Sequence, residues 1–145
     1  MDLSCSLCFQ IITLTVWVGL SIAMIVIGAV YKDDCPNQAY IPIFLLVTGI
    51  THLVLILLYF IRCVFEVCSM VLEGLLGIFS FAWFIAGSVW VFSMYSENKG
   101  PTLCNPIVYY FAFGFLIFEY VLIGLGLIVP CFRCSLRSYF YERFD

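Results

Sequence analysis

Charge is what this chain has least of. Of 145 residues, six are Lys or Arg and nine are Asp or Glu, 10% together, where soluble domains carry about 25%. A soluble globule is excluded. Histidine occurs once, at His52, which excludes metal centres built from several imidazoles. The phosphate-cradling G-x-x-x-x-G-K-[ST] loop, the G-x-G-x-x-G fingerprint, the G-x-S-x-G elbow and the H-E-x-x-H zinc motif are all absent, as is any N-x-[ST] acceptor. Its aspartates, Asp2, Asp33, Asp34 and Asp145, all fall outside the apolar runs, so the aspartate pair that intramembrane proteolysis needs is missing. These absences point away from an enzyme, and no cofactor or nucleic-acid partner is expected.

What the chain has is hydrophobicity. Its residues are 65% hydrophobic and its mean hydropathy is +1.16. Charge-sparse runs extend over Leu3–Tyr31, Cys35–Ile61, Gly74–Ser96 and Gly100–Leu136. Each supplies the ~20 apolar residues that a helix needs to cross about 30 Å of hydrocarbon. The expected architecture is all-α: one four-pass membrane domain over 1–145, a four-helix bundle. Its helices fall at about 9–31, 41–62, 72–95 and 106–131, followed by a C-terminal tail at 132–145. The first run lacks a basic flank and a small-residue cleavage site, so it reads as a retained span rather than a removed signal. Asn105-Pro106 is a helix-start signature, a capping side chain followed by a proline whose missing N–H costs nothing in the first turn. Pro42 reads the same way for the second helix, and Pro130 marks the exit of the fourth.

Orientation follows from the basic residues of the short connections. Arg62, Arg133, Arg137 and Arg143 fall on the side of the termini, Lys32 and Lys99 on the other. The expectation is that both termini are cytoplasmic, in the plasma membrane or a secretory-pathway membrane. Tyr31, Tyr40, Tyr95, Tyr109 and Tyr110 then form an outer aromatic belt.

The eight cysteines divide by this topology. Cys35 and Cys104 occupy the two outer loops, where an oxidising exterior favours a disulfide. Cys5, Cys8, Cys63, Cys68, Cys131 and Cys134 lie at the inner edge and are possible lipidation sites, as juxtamembrane cysteines often are. Cys5–Cys8 and Cys131–Cys134 are C-x-x-C units whose four thiolates would suit zinc if the termini met. Acylation or plain reduced thiols fit their position better, and no metal is expected.

Two polar residues stand inside the spans. Glu119 lies thirteen residues below Pro106 and His52 eleven below Ile41, so their depths differ by only about 3 Å at 1.5 Å per residue. A carboxylate at that depth costs about 3 kcal/mol on insertion scales. The expectation is an inward-facing His52–Glu119 pair. Small residues supply the matching close-packing faces: Gly19, Ala23 and Gly28, then Gly77, Ser80 and Gly87, then Ala112 and Gly126.

Tyr31, Cys35-Pro36, Ile41-Pro42-Ile43 and Gly49 in the first half form a recognisable pattern, as do Trp83–Phe92, Cys104 and Tyr110–Phe113 in the second. In these residues the chain resembles the transmembrane protein 272 family, most specifically in Gly87-Ser88-Val89-Trp90-Val91 and in the cysteines. The resemblance implies a four-pass membrane protein and brings no catalytic or binding residues with it. Two functional readings stand: a non-catalytic scaffold or partner protein, self-associating in the bilayer, or a pore-forming homo-oligomer conducting along intramembrane polar residues.

Overall fold

In the computed structural model, residues 3–36, 39–62, 64–96 and 104–144 are described. Those residues form helices and short connections and contain no strand. The helices are α1 (Leu3–Val30), α2 (Tyr40–Ile61), α3 (Glu66–Ser96) and α4 (Pro106–Phe144). All four contain segments long and apolar enough to cross a membrane: Leu7–Val30, Tyr40–Ile61, Glu66–Tyr95 and Pro106–Ser135.

Three helix ends differ from the sequence expectation. α1 begins at Leu3, so the Cys5–Cys8 unit is helical. α3 begins at Glu66 and absorbs most of the expected 63–73 turn. The reversal is tight: Val64 and Phe65 N–H both donate to the Ile61 carbonyl, at 2.8 and 3.2 Å, and Ser69 N–H already donates to Phe65 at 3.0 Å. No Pro or Gly interrupts Glu66–Glu73, and a carboxylate in the first turn suits the positive end of the helix. α4 runs through Pro130 to Phe144, so the expected tail is helical too. A proline removes one N–H bond, which a membrane helix tolerates at the cost of a local adjustment.

The chain divides into two compact units, Met1–Ala112 and Phe113–Asp145. In the first, α2 is the central helix and packs against both α1 and α3. Between membrane helices close packing, rather than a hydrophobic drive, supplies the attraction, and here it is achieved at three glycines. A Cβ on Gly28 would lie 2.7 Å from the Pro42 carbonyl oxygen, and one on Gly49 2.7 Å from that of Ser21. These two contacts bring the α1 and α2 backbones together. A Cβ on Gly87 would collide with the ring of Phe44, which joins α3 to the other side of α2. Met24, Ile41, Phe44, Leu45, Val91 and Val108 are fully buried around these contacts. The positions Gly19 and Gly77, expected to face neighbours, are instead exposed, with nothing within 4 Å of an added Cβ. Gly126 in the second unit is exposed as well.

Candidate functional site

Three layers of the chain carry polar or reactive groups. The first is the end where α1 meets α2 and α3 leads to α4. Cys35 and Cys104 are joined by a disulfide across 69 residues of sequence, with their Cα atoms 4.1 Å apart. Both cysteines are buried. The backbone continues the clamp: Asn105 N–H donates to the Asp34 carbonyl at 3.2 Å, and Asn105 Nδ2 donates to Asp34 Oδ2 at 3.3 Å. Asn105 Oδ1 in turn accepts from Ile107 N–H at 3.0 Å, the capping bond that Asn105-Pro106 foretold. In the chain-entropy model, closing a loop of this length constrains the unfolded chain by about 4 kcal/mol.

The aromatic residues at this end do not form a simple belt. Tyr40, Tyr95 and Tyr110 are exposed, whereas Tyr109 is buried at 3% exposure. Tyr40 stacks on Trp90 with ring centroids 5.1 Å apart, Trp90 meets Trp83 edge to face at 5.6 Å, and Trp83 stacks on Phe79 at 5.8 Å. The ladder descends along the α2–α3 seam. Trp83 Nε1 also donates to the Phe44 carbonyl at 3.4 Å, a polar link between the two helices.

The second layer lies within the spans. His52 is partly buried on α2, and its ring meets Trp17 of α1 edge to face, centroids 5.4 Å apart at 87°. Sequence reasoning missed Trp17, although it stands fourteen residues before Tyr31 and His52 twelve after Tyr40, a matching depth. Glu119 is partly buried on α4, in the second unit, with Oε1 buried and without a hydrogen-bond partner among the described residues. Four hydroxyls of this layer bond within their own helices. Ser21 Oγ donates to the Trp17 carbonyl at 2.7 Å, Thr48 to Phe44 at 2.7 Å, Thr51 to Val47 at 2.8 Å and Ser88 to Phe84 at 2.8 Å. These four satisfy themselves locally, whereas Ser80 Oγ on α3 is buried without a hydrogen-bond partner among the described residues.

The third layer is the opposite end. Arg62 closes α2 and forms an ion pair with Glu73 of α3 at 3.6 Å. Cys8 and Cys68 of the first unit are exposed free thiols here; in the second unit, described by itself, Cys131 and Cys134 are exposed free thiols as well. Cys63 and the side chain of Cys5 lie outside the described residues. Among the described residues no group of three or more His, Cys, Asp or Glu is placed to hold a metal ion. A groove of about 570 Å³ opens between the start of α1 and the end of α2, lined by Phe9, Thr13, Leu14, Leu55 and Tyr59 among others. It opens beyond the Gly49–Ser21 contact, toward the end opposite the disulfide.

Four apolar helices, each able to span a bilayer, with a disulfide clamping their connections at one end, define a small polytopic membrane protein. The chain belongs to the transmembrane protein 272 family: it is 31% identical to Transmembrane protein 272 of Homo sapiens over 156 aligned positions, covering 88% of this chain and 82% of the human protein. No family model matches the chain, and no solved structure matches it. The relationship supports the membrane class and assigns no role to individual residues.

Proposed function

We propose that the protein is a non-catalytic membrane scaffold that associates with other spans, its own copies included, with both termini cytoplasmic and the disulfide on the outer face. One observation carries this reading: glycines that no helix of the same unit approaches. Gly19 on α1 and Gly77 on α3 leave open space where a Cβ would stand, whereas Gly28, Gly49 and Gly87 are filled by neighbours. Small residues on open faces permit the close approach by which membrane helices recognise one another. The short outer connections, reinforced by the disulfide, suit a rigid partner in the bilayer better than a receptor for large ligands.

A second reading, a pore-forming homo-oligomer, draws support from Glu119, whose Oε1 is buried without a hydrogen bond among the described residues. In that reading His52 and Glu119 pair or line a path at mid-membrane depth. The exposed thiols Cys8, Cys68, Cys131 and Cys134 are then sites for reversible acylation at the cytoplasmic edge.

Particle mass in mild detergent, together with conductance after reconstitution, separates the readings. An assembly of defined size without conductance supports the scaffold. A conducting ring whose current is lost in Glu119→Gln supports the pore, and a monomer without conductance removes both forms of self-association.

A further inference from the structure

α4 is longer than a membrane needs. Its 39 residues extend about 58 Å at 1.5 Å per residue, against about 30 Å of hydrocarbon and about 40–45 Å of bilayer including headgroups. One end is tied to a polar anchor: Asn105 caps the helix and bonds Asp34 in the preceding connection. Counting from Pro106, Arg133 stands 27 residues on and Arg137 31 residues on, about 40 and 46 Å along the axis. The two guanidiniums therefore reach the headgroup layer of the opposite leaflet.

Their surroundings fit that depth. Arg133 and Arg137 are both exposed, and neither forms an ion pair with another described residue. At a spacing of four residues they share one helix face, with Cβ atoms about 5–6 Å apart. Phe132 and Tyr139, 64% and 58% exposed, are seven residues apart on a different stripe, where aromatic rings anchor a helix at the interface. Before its exit the helix carries a single charged residue, Glu119, and at the exit it is aromatic on one side and doubly cationic on another.

We propose that Arg133 and Arg137 form a binding site for the phosphate of an anionic glycerophospholipid. Guanidinium forks match phosphate oxygens bidentately, and two forks one turn apart embrace a single phosphomonoester or adjacent phosphates on one headgroup. The inference needs only the continuous helix and its anchored end. It holds whether the protein is a scaffold or a pore, and in either orientation.

The test uses the full-length, disulfide-bonded protein in mild detergent, with lipid retention read by native mass spectrometry. Titrants are phosphatidic acid, phosphatidylcholine of the same acyl chains, and soluble glycerol phosphate. Phosphatidic acid is expected to be retained at least tenfold more tightly than phosphatidylcholine. Arg133→Gln and Arg137→Gln should each weaken it about fivefold and the double variant about thirtyfold, from about 1 kcal/mol per arginine near an anionic surface. If the double variant does not fold, the single variants carry the test. Equal retention of the two lipids, unchanged retention in the variants, or displacement of the lipid by equimolar glycerol phosphate would overturn the proposal.

Discussion

Gly49→Ala is the sharpest probe of how α1 and α2 are held. The added methyl would stand 2.7 Å from the Ser21 carbonyl oxygen, 2.8 Å from Ile25 Cγ1 and 3.2 Å from Ile25 N. Ile25 Cγ1 can swing aside, but the Ser21 carbonyl and Ile25 amide are backbone. Restoring ordinary contact at about 3.5 Å moves the two helices apart by most of an ångström. Overpacking of this kind costs about 1–3 kcal/mol, and the gain from replacing a helical glycine returns about 0.5–1 kcal/mol. The net loss is about 1–2 kcal/mol, a drop in melting temperature of about 3–7 °C for a chain of this size. The assay is thermal unfolding in mild detergent followed by tryptophan fluorescence, with Gly19→Ala and Gly77→Ala as controls, because nothing lies within 4 Å of a Cβ there. Both controls should melt at or above the wild-type temperature. Gly49→Ala melting as high as the wild type, or Gly19→Ala falling as far, would refute the assignment of the tight face.

Three further outcomes are expected. Cys35→Ser, Cys104→Ser and the double variant should lose the same stability, up to about 4 kcal/mol, and lose the mobility shift between reducing and non-reducing gels; a single variant with wild-type stability contradicts the bond. Asn105→Ala removes both the cap on Ile107 and the link to Asp34, so a loss of about 1 kcal/mol should appear as a lower melting temperature. A double-mutant cycle of Trp17→Leu with His52→Leu should give a coupling of about 0.5–1.5 kcal/mol for the edge-to-face contact, and additive losses would show that the two rings do not interact.

What could be foreseen from sequence depended on how local the controlling physics is. The cap at Asn105-Pro106 needs only one side chain and the amide two residues on, so it was legible. The Cys35–Cys104 bond was legible because these are the only two cysteines in the connections joining the first helix to the second and the third to the fourth. The packing faces were not. A membrane helix is apolar all round, and the polar-against-apolar contrast that marks the buried side of a soluble helix is missing. Gly28, Gly49 and Gly87 therefore look the same on paper as Gly19 and Gly77, yet only the first three meet a neighbour. The start of α3 was displaced for a related reason: Glu66 and Glu73 fall in the stretch from 63 to 73 that reads as a turn, but a helix surface at the membrane edge accommodates both, one of them paired with Arg62.

The 22 residues of α2 have a consequence for where the protein is comfortable. At about 1.5 Å per residue the helix is about 33 Å long, close to a sterol-rich plasma membrane of about 32–33 Å and longer than an endoplasmic-reticulum bilayer of about 27 Å. The other helices run past this length at their ends and meet thickness changes outside the packed region. α2 has no such slack, and glycine contacts to α1 and a buried ring against α3 deny it a tilt of its own. The central helix is therefore the gauge of bilayer thickness for the unit. In a thin membrane the mismatch falls on the unit as a whole, which must lean or gather lipid around it.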